Sequence, residues 1–407
     1  TVIIFLIVLA VLIFVHELGH FLLARTCGIR VDAFALGFGP KLISWKRGET
    51  LYSLNLIPFG GYVKIFGENP DSDSISGPDS KRSFVNKPRW KQAIVFVAGI
   101  SFNFLFAALL YIIVFTHGVT ATSDGFEKYA DRFTNPRIMI TEVMPGSPAD
   151  KAGIKMGDVI SEVSIKEGSI KIVDLTTALN SSSAGTIKAA DSNVQTGGTI
   201  KTADLPTKPV GNDSQTVEDI QSAINSSKGN PINIQLLVNS KPQAVEVTPI
   251  QGLVNDKYAI GIAMNEVVDM RLPFFTSIYE GAHYTVFMIK ETAVGLYYFF
   301  GSLFQGTAKL SEVAGPVGIA GIVGNAASLG FTYLLMITAL ISINLGVINL
   351  APFPALDGGR VLFVAIEGII RRRISPTFLN IVNTVGFVLL MILMVLVTYQ
   401  DIVKLFR

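Results

Sequence analysis

Four long apolar runs divide this chain, and the segments between them differ sharply in character. The first, Thr1 to Ala24, has no charge before His16 and, at the roughly 20 residues a crossing needs, is long enough to span a bilayer as a helix. A second runs from Ala93 to Thr116, a third begins near Phe331, and a fourth runs from Phe378 to Thr398. The pattern predicts transmembrane helices over about 1–25, 92–116, 331–359 and 378–400, with a polar loop over 360–377. His283 to Gln305 is also apolar but carries Lys290 and Glu291 in mid-stretch, which suits a helix lying in the interface; His283 is then an interface residue rather than a metal ligand. Ala314 to Gly330 is rich in small residues and is expected to be a flexible or re-entrant connector, completing a segment over 271–330.

Two regions break the helical pattern. In 26–91, Ile29 to Gly67 shows short apolar runs bounded by Gly and Pro, which predicts short hairpins, and Glu68 to Pro88 reads as a polar loop. Backbone of that kind can sit at membrane depth only where protein covers it or it lines a wet cavity; the alternative is an ordinary cytoplasmic hairpin. The long polar stretch 117–270 contains turn, short helix, turn and strand from Pro145 to Ile160. An amphipathic helix follows over Thr216 to Ser227, with Thr216 as its cap, then strands at Ile232 to Val238 and Gln243 to Pro249. This order resembles a PDZ domain in the permuted form of bacterial membrane and periplasmic proteases. The resemblance implies that the Tyr258-Ala259-Ile260-Gly261-Ile262 strand supplies the loop that cradles a peptide end. Residues 164–213, with no aromatic from Ser164 to Asn212, read as a loosely ordered insertion, with a degenerate second copy as the alternative.

Composition agrees with a membrane protein: 407 residues, 50% hydrophobic, mean hydropathy +0.49. The net charge of +2 hides a contrast: 11 Lys/Arg against 6 Asp/Glu from Arg25 to Lys91, but 13 against 18 from His117 to Met270. With Arg371, Arg372 and Arg373, the positive-inside rule puts 26–91 and 360–377 in the cytoplasm and the polar domain outside. Nothing in this distribution suggests a nucleic-acid partner. The opening run has neither a basic leader nor a small-residue cleavage site and reads as an anchor, not a signal peptide. The single Cys27 excludes an intramolecular disulfide; it is either a thiolate ligand beside the histidines or, as expected of a lone cysteine, a small buried hydrophobe.

The chemistry concentrates in two places. His16-Glu17-Leu18-Gly19-His20 puts two imidazoles one helical turn apart on one face, with a carboxylate beside the first. This is the H-E-x-x-H pattern, two nitrogen ligands for zinc and a general base, inside a segment where ionisable groups are costly. The bland alternative is a pair of core histidines partnered by Glu17. The second place is Asn349-Leu350-Ala351-Pro352-Phe353-Pro354-Ala355-Leu356-Asp357-Gly358-Gly359, where prolines break a helix inside the third run. Asp357 is there either a third zinc ligand or a helix cap. The second run carries Gly99, Ser101 and Asn103 on a small-residue face, the Asn103 amide needing an interior partner.

The His pair, the PDZ-like domain and the late N-x-x-P-x-P-x-x-D-G segment, in that order, resemble the site-2 protease family of intramembrane zinc metalloproteases, specifically the bacterial regulators of the sigma-E stress response. The resemblance implies one Zn2+ on His16, His20 and Asp357, Glu17 as catalytic base, and Asn349 holding the substrate or the developing oxyanion. It implies that Pro58, Phe59, Gly60, Gly61, Tyr62 and Val63, with the hairpin that continues to Ile65, engage substrate as a strand in a membrane-re-entrant β-region. Tyr258, Ile260, Gly261 and Ile262 would line the PDZ groove. Expected partners are the lipid bilayer, peptide ends, and transmembrane proteins already trimmed by another protease, such as anti-sigma factors or signal-peptide remnants. The expected location is the bacterial inner membrane, with the active site towards the cytoplasm. Ile100 after Gly99 departs from the family's Gly-Pro-x-x-Asn. The fold class expected is thus a polytopic α-helical membrane protein with a β-hairpin region and an α+β PDZ-like outer domain. Its rivals are a membrane-anchored PDZ adaptor with a non-catalytic metal site and a metal transporter.

Overall fold

The computed structural model describes residues 1–69, 71–122, 126–165, 168–170, 216–238, 241–254, 256–306 and 314–405. The chain divides into two compact units, residues 1–118 with 272–407, and residues 119–271. Most of the expected insertion over 164–213 lies outside the described residues.

In the first unit, α1 (Val2–Thr26), α3 (Arg89–His117), α8 (Phe331–Leu350) and α10 (Pro376–Leu405) are, among the described residues, the helices long and apolar enough to cross a membrane. Even α8, with 20 residues, reaches about 30 Å at 1.5 Å per residue, the thickness of a hydrocarbon layer. Helix α3 starts after Pro88 because proline needs no donor there, and the buried Gln92 amide donates to the carbonyls of Phe84 and Lys87 at 3.0 and 2.9 Å, tying down the loop before it. That loop holds α2 (Ser72–Ser76), capped by Asp71.

Residues 29–67 do not make several short hairpins. They form one pair, β1 (Val31–Arg47) and β2 (Thr50–Ile65), whose pairing doubles back. Ala33 lies opposite both Lys64 and Leu51, and Leu36 opposite both Gly61 and Leu54, so the 33–36 limb is central and the 61–65 limb lies at an edge. Phe34 of the central limb packs edge-on to Phe21 of α1 at 5.3 Å, within a core that also holds Val31, Ile65, Phe84 and Phe96. Cys27 packs against this core, as a small hydrophobe would.

Two further expectations are corrected, those over 314–330 and 360–377. The apolar stretch around His283 is helical, within the longer α6 (Phe274–Phe304), which packs on α3 through Tyr284 edge-on to Tyr111 at 4.9 Å. Within it, His283 is exposed and stacks on Tyr279. The connector over 314–330 is a regular helix, α7 (Pro316–Leu329), because the buried Asp401 carboxylate accepts from the otherwise unpaired Gly318 N–H in its first turn at 2.8 Å. The loop over 360–377 is mostly helical too. After the proline break the chain resumes as α9 (Asp357–Ile370), whose Val361 and Val364 pack on the Phe21–Phe96 core and whose Glu367 pairs with Arg89 at 2.5 Å. It ends where Arg371 turns left-handed, at φ 56°.

The second unit is a sheet with strand order β3-β11-β4-β5-β7-β8, and β6 pairs with β5. Its strands are β3 (Val119–Thr122), β4 (Phe133–Val143), β5 (Val159–Ile165), β6 (Gly168–Ile170), β7 (Ile232–Val238), β8 (Lys241–Val247) and β11 (Ile262–Met270). A separate pair joins β9 (Ile250–Val254) to β10 (Lys257–Ala259). The helices are α4 (Pro148–Lys151) and α5 (Val217–Ser226). Thr216 and Asp219 cap α5 reciprocally, and α5 buries Ile220 and Ile224 against Ile138, Ile140, Ile234 and Leu236. Residues 258–262 are not one strand: β10 stops at Ala259, Gly261 turns with φ +82°, and β11 begins at Ile262.

One charged cluster ties β3, β4 and β11 together. Asp269 accepts from Arg137 Nη1 and Nη2, both at 2.9 Å, from Asn135 Nδ2 at 3.0 Å and from Thr120 Oγ1 at 2.5 Å. Burial raises the carboxyl pKa, but the hydrogen bonds from Arg137, Thr120 and Asn135 outweigh it, leaving the group below its ordinary value. A depressed carboxyl stabilises the fold above its unfolded pKa of about 4, and that stability is lost as pH falls through the folded value. Hydrogen exchange of β3, β4 and β11 should therefore speed up on acidification below about pH 4, and Asp269→Asn should already show faster exchange near pH 7.

Candidate metal centre

Helix α1 brings His16 and His20 to one face, their rings edge-on with centroids 4.8 Å apart and their Nε2 atoms 3.2 Å apart. His20 Nδ1 lies 2.8 Å from the Val95 carbonyl oxygen of α3, a contact that requires Nδ1–H to donate. The ring's one proton is thereby used, and a neutral His20 keeps its lone pair on Nε2. Beneath both rings the backbone of α3 must come close. A Cβ on Gly99 would stand 2.3 Å from His20 Nε2 and 2.8 Å from His16 Cε1, so only glycine leaves the rings where they are.

The third donor arrives from the break between α8 and α9. Pro352 and Pro354 end the α8 ladder, Ala355 takes a left-handed φ of 73°, and its N–H donates to Asn383 Oδ1 of α10 at 3.3 Å. The chain then doubles back so tightly that a Cβ on Gly358 would meet the Leu350 carbonyl oxygen at 2.3 Å. This fold-back delivers Asp357 Oδ2 to 3.1 Å from His16 Nε2 and 3.2 Å from His20 Nε2.

One ligand atom from each of His16, His20 and Asp357 thus lies within 4.8 Å of the others, in a site that leaves about a tenth of each side chain exposed. The His20 proton is committed to Val95, and Asp357 Oδ2 is buried without a donor partner. Lone pairs facing one another in a nearly dry site repel unless a cation lies between them, and two imidazoles with one carboxylate are a donor set that zinc accepts, leaving a coordination position open. The residues fit the metal.

Comparison with known proteins agrees with this geometry. The sequence profile of peptidase family M50 matches residues 4–393. The chain belongs to this family. The peptidase is 33% identical over 401 residues to the CPE1693 protein of Clostridium perfringens, covering 98% of this chain and 97% of that one. It is 30% identical over 452 residues to the zinc metalloprotease RasP of Geobacillus kaustophilus, covering all of this chain and 98% of the relative. It is 30% identical over 453 residues to the protease RseP of Yersinia pestis, covering 98% of each.

The other predicted positions fall into three groups. Glu17 is half-buried beside the cluster, and Gly61 of β2 lies against it: a Cβ on Gly61 would come 3.4 Å from Glu17 Cγ. Pro58, Phe59, Gly60, Tyr62 and Val63 lie on the same strand, with Tyr62 stacked on Phe38. Asn349 sits half-buried in the last turn of α8, and no hydrogen bond joins it to Glu17 or the three donors among the described residues. Tyr258, Ile260, Gly261 and Ile262 belong to the second unit. There Ile260 is buried, and the carbonyls of Ile260 and Gly261 accept from Ala149 N–H at 3.0 Å and Met144 N–H at 2.8 Å. The sequence reading missed the Val95 carbonyl, which has no side-chain signal, and saw in Gly99 only a packing residue. Its place within Gly99-x-x-x-Asn103 was the available clue.

The packing of Gly99 yields a direct test. Gly99→Ala should displace the His20 ring and lower the zinc content of purified protein well below that of the parent. Gly295→Ala, whose added methyl meets nothing within 4 Å, should leave it unchanged. Metal analysis by mass spectrometry reads both.

Proposed function

We propose that this zinc metallopeptidase cleaves transmembrane segments of single-span proteins within the bilayer, after another protease has trimmed them outside. The observation that carries the reading is where the donors come from. His16 and His20 lie inside a helix of membrane-crossing length, and Asp357 follows the broken end of another. A hydrolytic centre there has access to buried peptide bonds that a soluble domain would not reach.

Zinc, when bound, supplies the Lewis acidity that polarises the scissile carbonyl and makes water a nucleophile near neutral pH. Glu17 is the general base: it takes the proton from the attacking water and returns it to the leaving amine. Asn349 offers an amide donor to the substrate carbonyl as negative charge develops. A helical substrate hides its amides in its own hydrogen bonds and must unwind before it is cut. Among the described residues the 61–65 limb of β2 pairs only with β1, on one side, and Gly61 adjoins Glu17, which supports strand addition beside the base. Pro58 to Val63 would then hold the unwound segment in extended form.

The second unit is proposed to be a permuted PDZ domain on the outer face, with the turn at Tyr258 to Ile262 holding peptide ends. The order of α5, β7, the Gly261 turn and β11 supports this reading. The cationic segments after α1 and α9 support a cytoplasmic side for β1–β2 and an inner-membrane location.

Glu17→Gln should keep zinc at the parental level while cleavage of a transmembrane-segment reporter falls by about 10² or more. Normal turnover by that variant would sink the mechanism. Asp357→Ala should lose both zinc and cleavage. Unaltered zinc content would move the third ligand elsewhere, and zinc in neither protein would favour the adaptor.

A further inference from the structure

The cluster has a neighbour that the proposed chemistry does not use. Asn103 on α3 is fully buried, and its side-chain Nδ2 lies 3.1 Å from His16 Nδ1. Its Oδ1 is buried too and has no hydrogen-bond donor in this orientation. A second tie fixes the backbone of the same residue, for the Ser342 hydroxyl of α8 donates to the Asn103 carbonyl at 2.8 Å. Asn103 therefore stands one helical turn beyond Gly99, on the face of α3 that meets the imidazoles, and α8 holds it in place.

Chemistry decides which end of the amide faces the ring. His16 presents Nε2 to Asp357 and His20, so a neutral His16 that ligates through Nε2 must carry its proton on Nδ1. A protonated Nδ1 cannot accept from Nδ2–H, but it can donate to an oxygen. Rotating the amide by half a turn places Oδ1 where Nδ2 now lies and leaves the backbone undisturbed. It also gives the orphaned oxygen the donor it lacks. His20 has the same arrangement through Val95, whose carbonyl accepts from the other Nδ1–H.

We infer that Asn103 is the positioning residue for His16, accepting its Nδ1–H through Oδ1 and so holding Nε2 towards the metal. The two ligands are then oriented by two acceptors on one face of α3, a backbone carbonyl for His20 and a side-chain amide for His16. Outer partners of this kind change metal affinity by about 10- to 100-fold when removed. The inference rests on the zinc site proposed above and adds a residue that touches neither substrate nor metal.

The experiment measures zinc affinity of the full chain in detergent by competition with a chelator, for the parent, Asn103→Asp and Asn103→Leu. Aspartate is an acceptor only, so if Asn103 accepts from His16, Asn103→Asp should bind zinc as tightly as the parent or more tightly. Asn103→Leu, close in size but without an acceptor, should bind about 10- to 100-fold more weakly. Thermal unfolding of the metal-free forms separates this from a packing effect, because a purely structural role would weaken both variants alike with and without zinc. Loss of affinity in Asn103→Asp would show that the amide donates and would overturn the inference, even if Asn103→Leu failed to fold. Parental affinity in Asn103→Leu would overturn it equally. A parent chain that bound no zinc would instead refute the metal reading itself.

Discussion

Three lone-pair donors held together in a nearly dry site are the constraint from which the rest of the first unit follows. Imidazole and carboxylate are expensive to bury, and their mutual repulsion falls only when a cation joins them and outer partners fix their protons. Each supporting feature reduces one part of that cost. Val95 engages the His20 proton, Gly99 leaves room for both rings, and the fold-back at Gly358 brings Asp357 in at the right depth. Metal binding and folding should accordingly be linked around α1, α3 and α9.

The same constraint accounts for the irregular backbone beside the site. A continuous helix hides its peptide groups and would carry Asp357 past the histidines. Pro352 and Pro354 stop α8, and α9 restarts at the very residue that supplies the carboxylate. The doubled-back β1–β2 pair serves a related end: it sets extended backbone against α1 while Phe21, Phe34 and Phe84 keep its inner face covered. Helix interruption and sheet are two ways of bringing polar backbone to a place where a plain bundle could not.

The three side chains that the structure brings together were legible in the sequence because each sits in a motif with a local mechanism. His16 and His20 share a face at any helical spacing of four, and prolines beside Asp357 announce a broken helix whatever surrounds them. The β-region was legible as extended chain, but not its pairing, since Ala33 finds Lys64 on one side and Leu51 on the other through contacts distant along the chain. Helix α7 was misread because its many glycines argue against a helix in isolation. Its stability rests on Asp401, which lies 83 residues further on. For α9, a cationic segment beyond a membrane span reads as loop, and only the core formed with Phe21 and Phe96 supplies the surface on which Val361 and Val364 can fold.

What the sequence determined by itself was therefore the set of spans, the ligand-bearing motifs and the class of chemistry, because these depend on periodicity, residue type and hydropathy within one turn or one span. Only the tertiary structure decided which groups hold the ligands: a carbonyl at Val95, an amide at Asn103, bare backbone at Gly99. Those roles belong to no residue alone. They arise where α3 lies against α1 closely enough for one ring nitrogen to meet a carbonyl oxygen 75 positions away and another to meet a side-chain amide 87 positions away, and such distances exist only after the helices have packed.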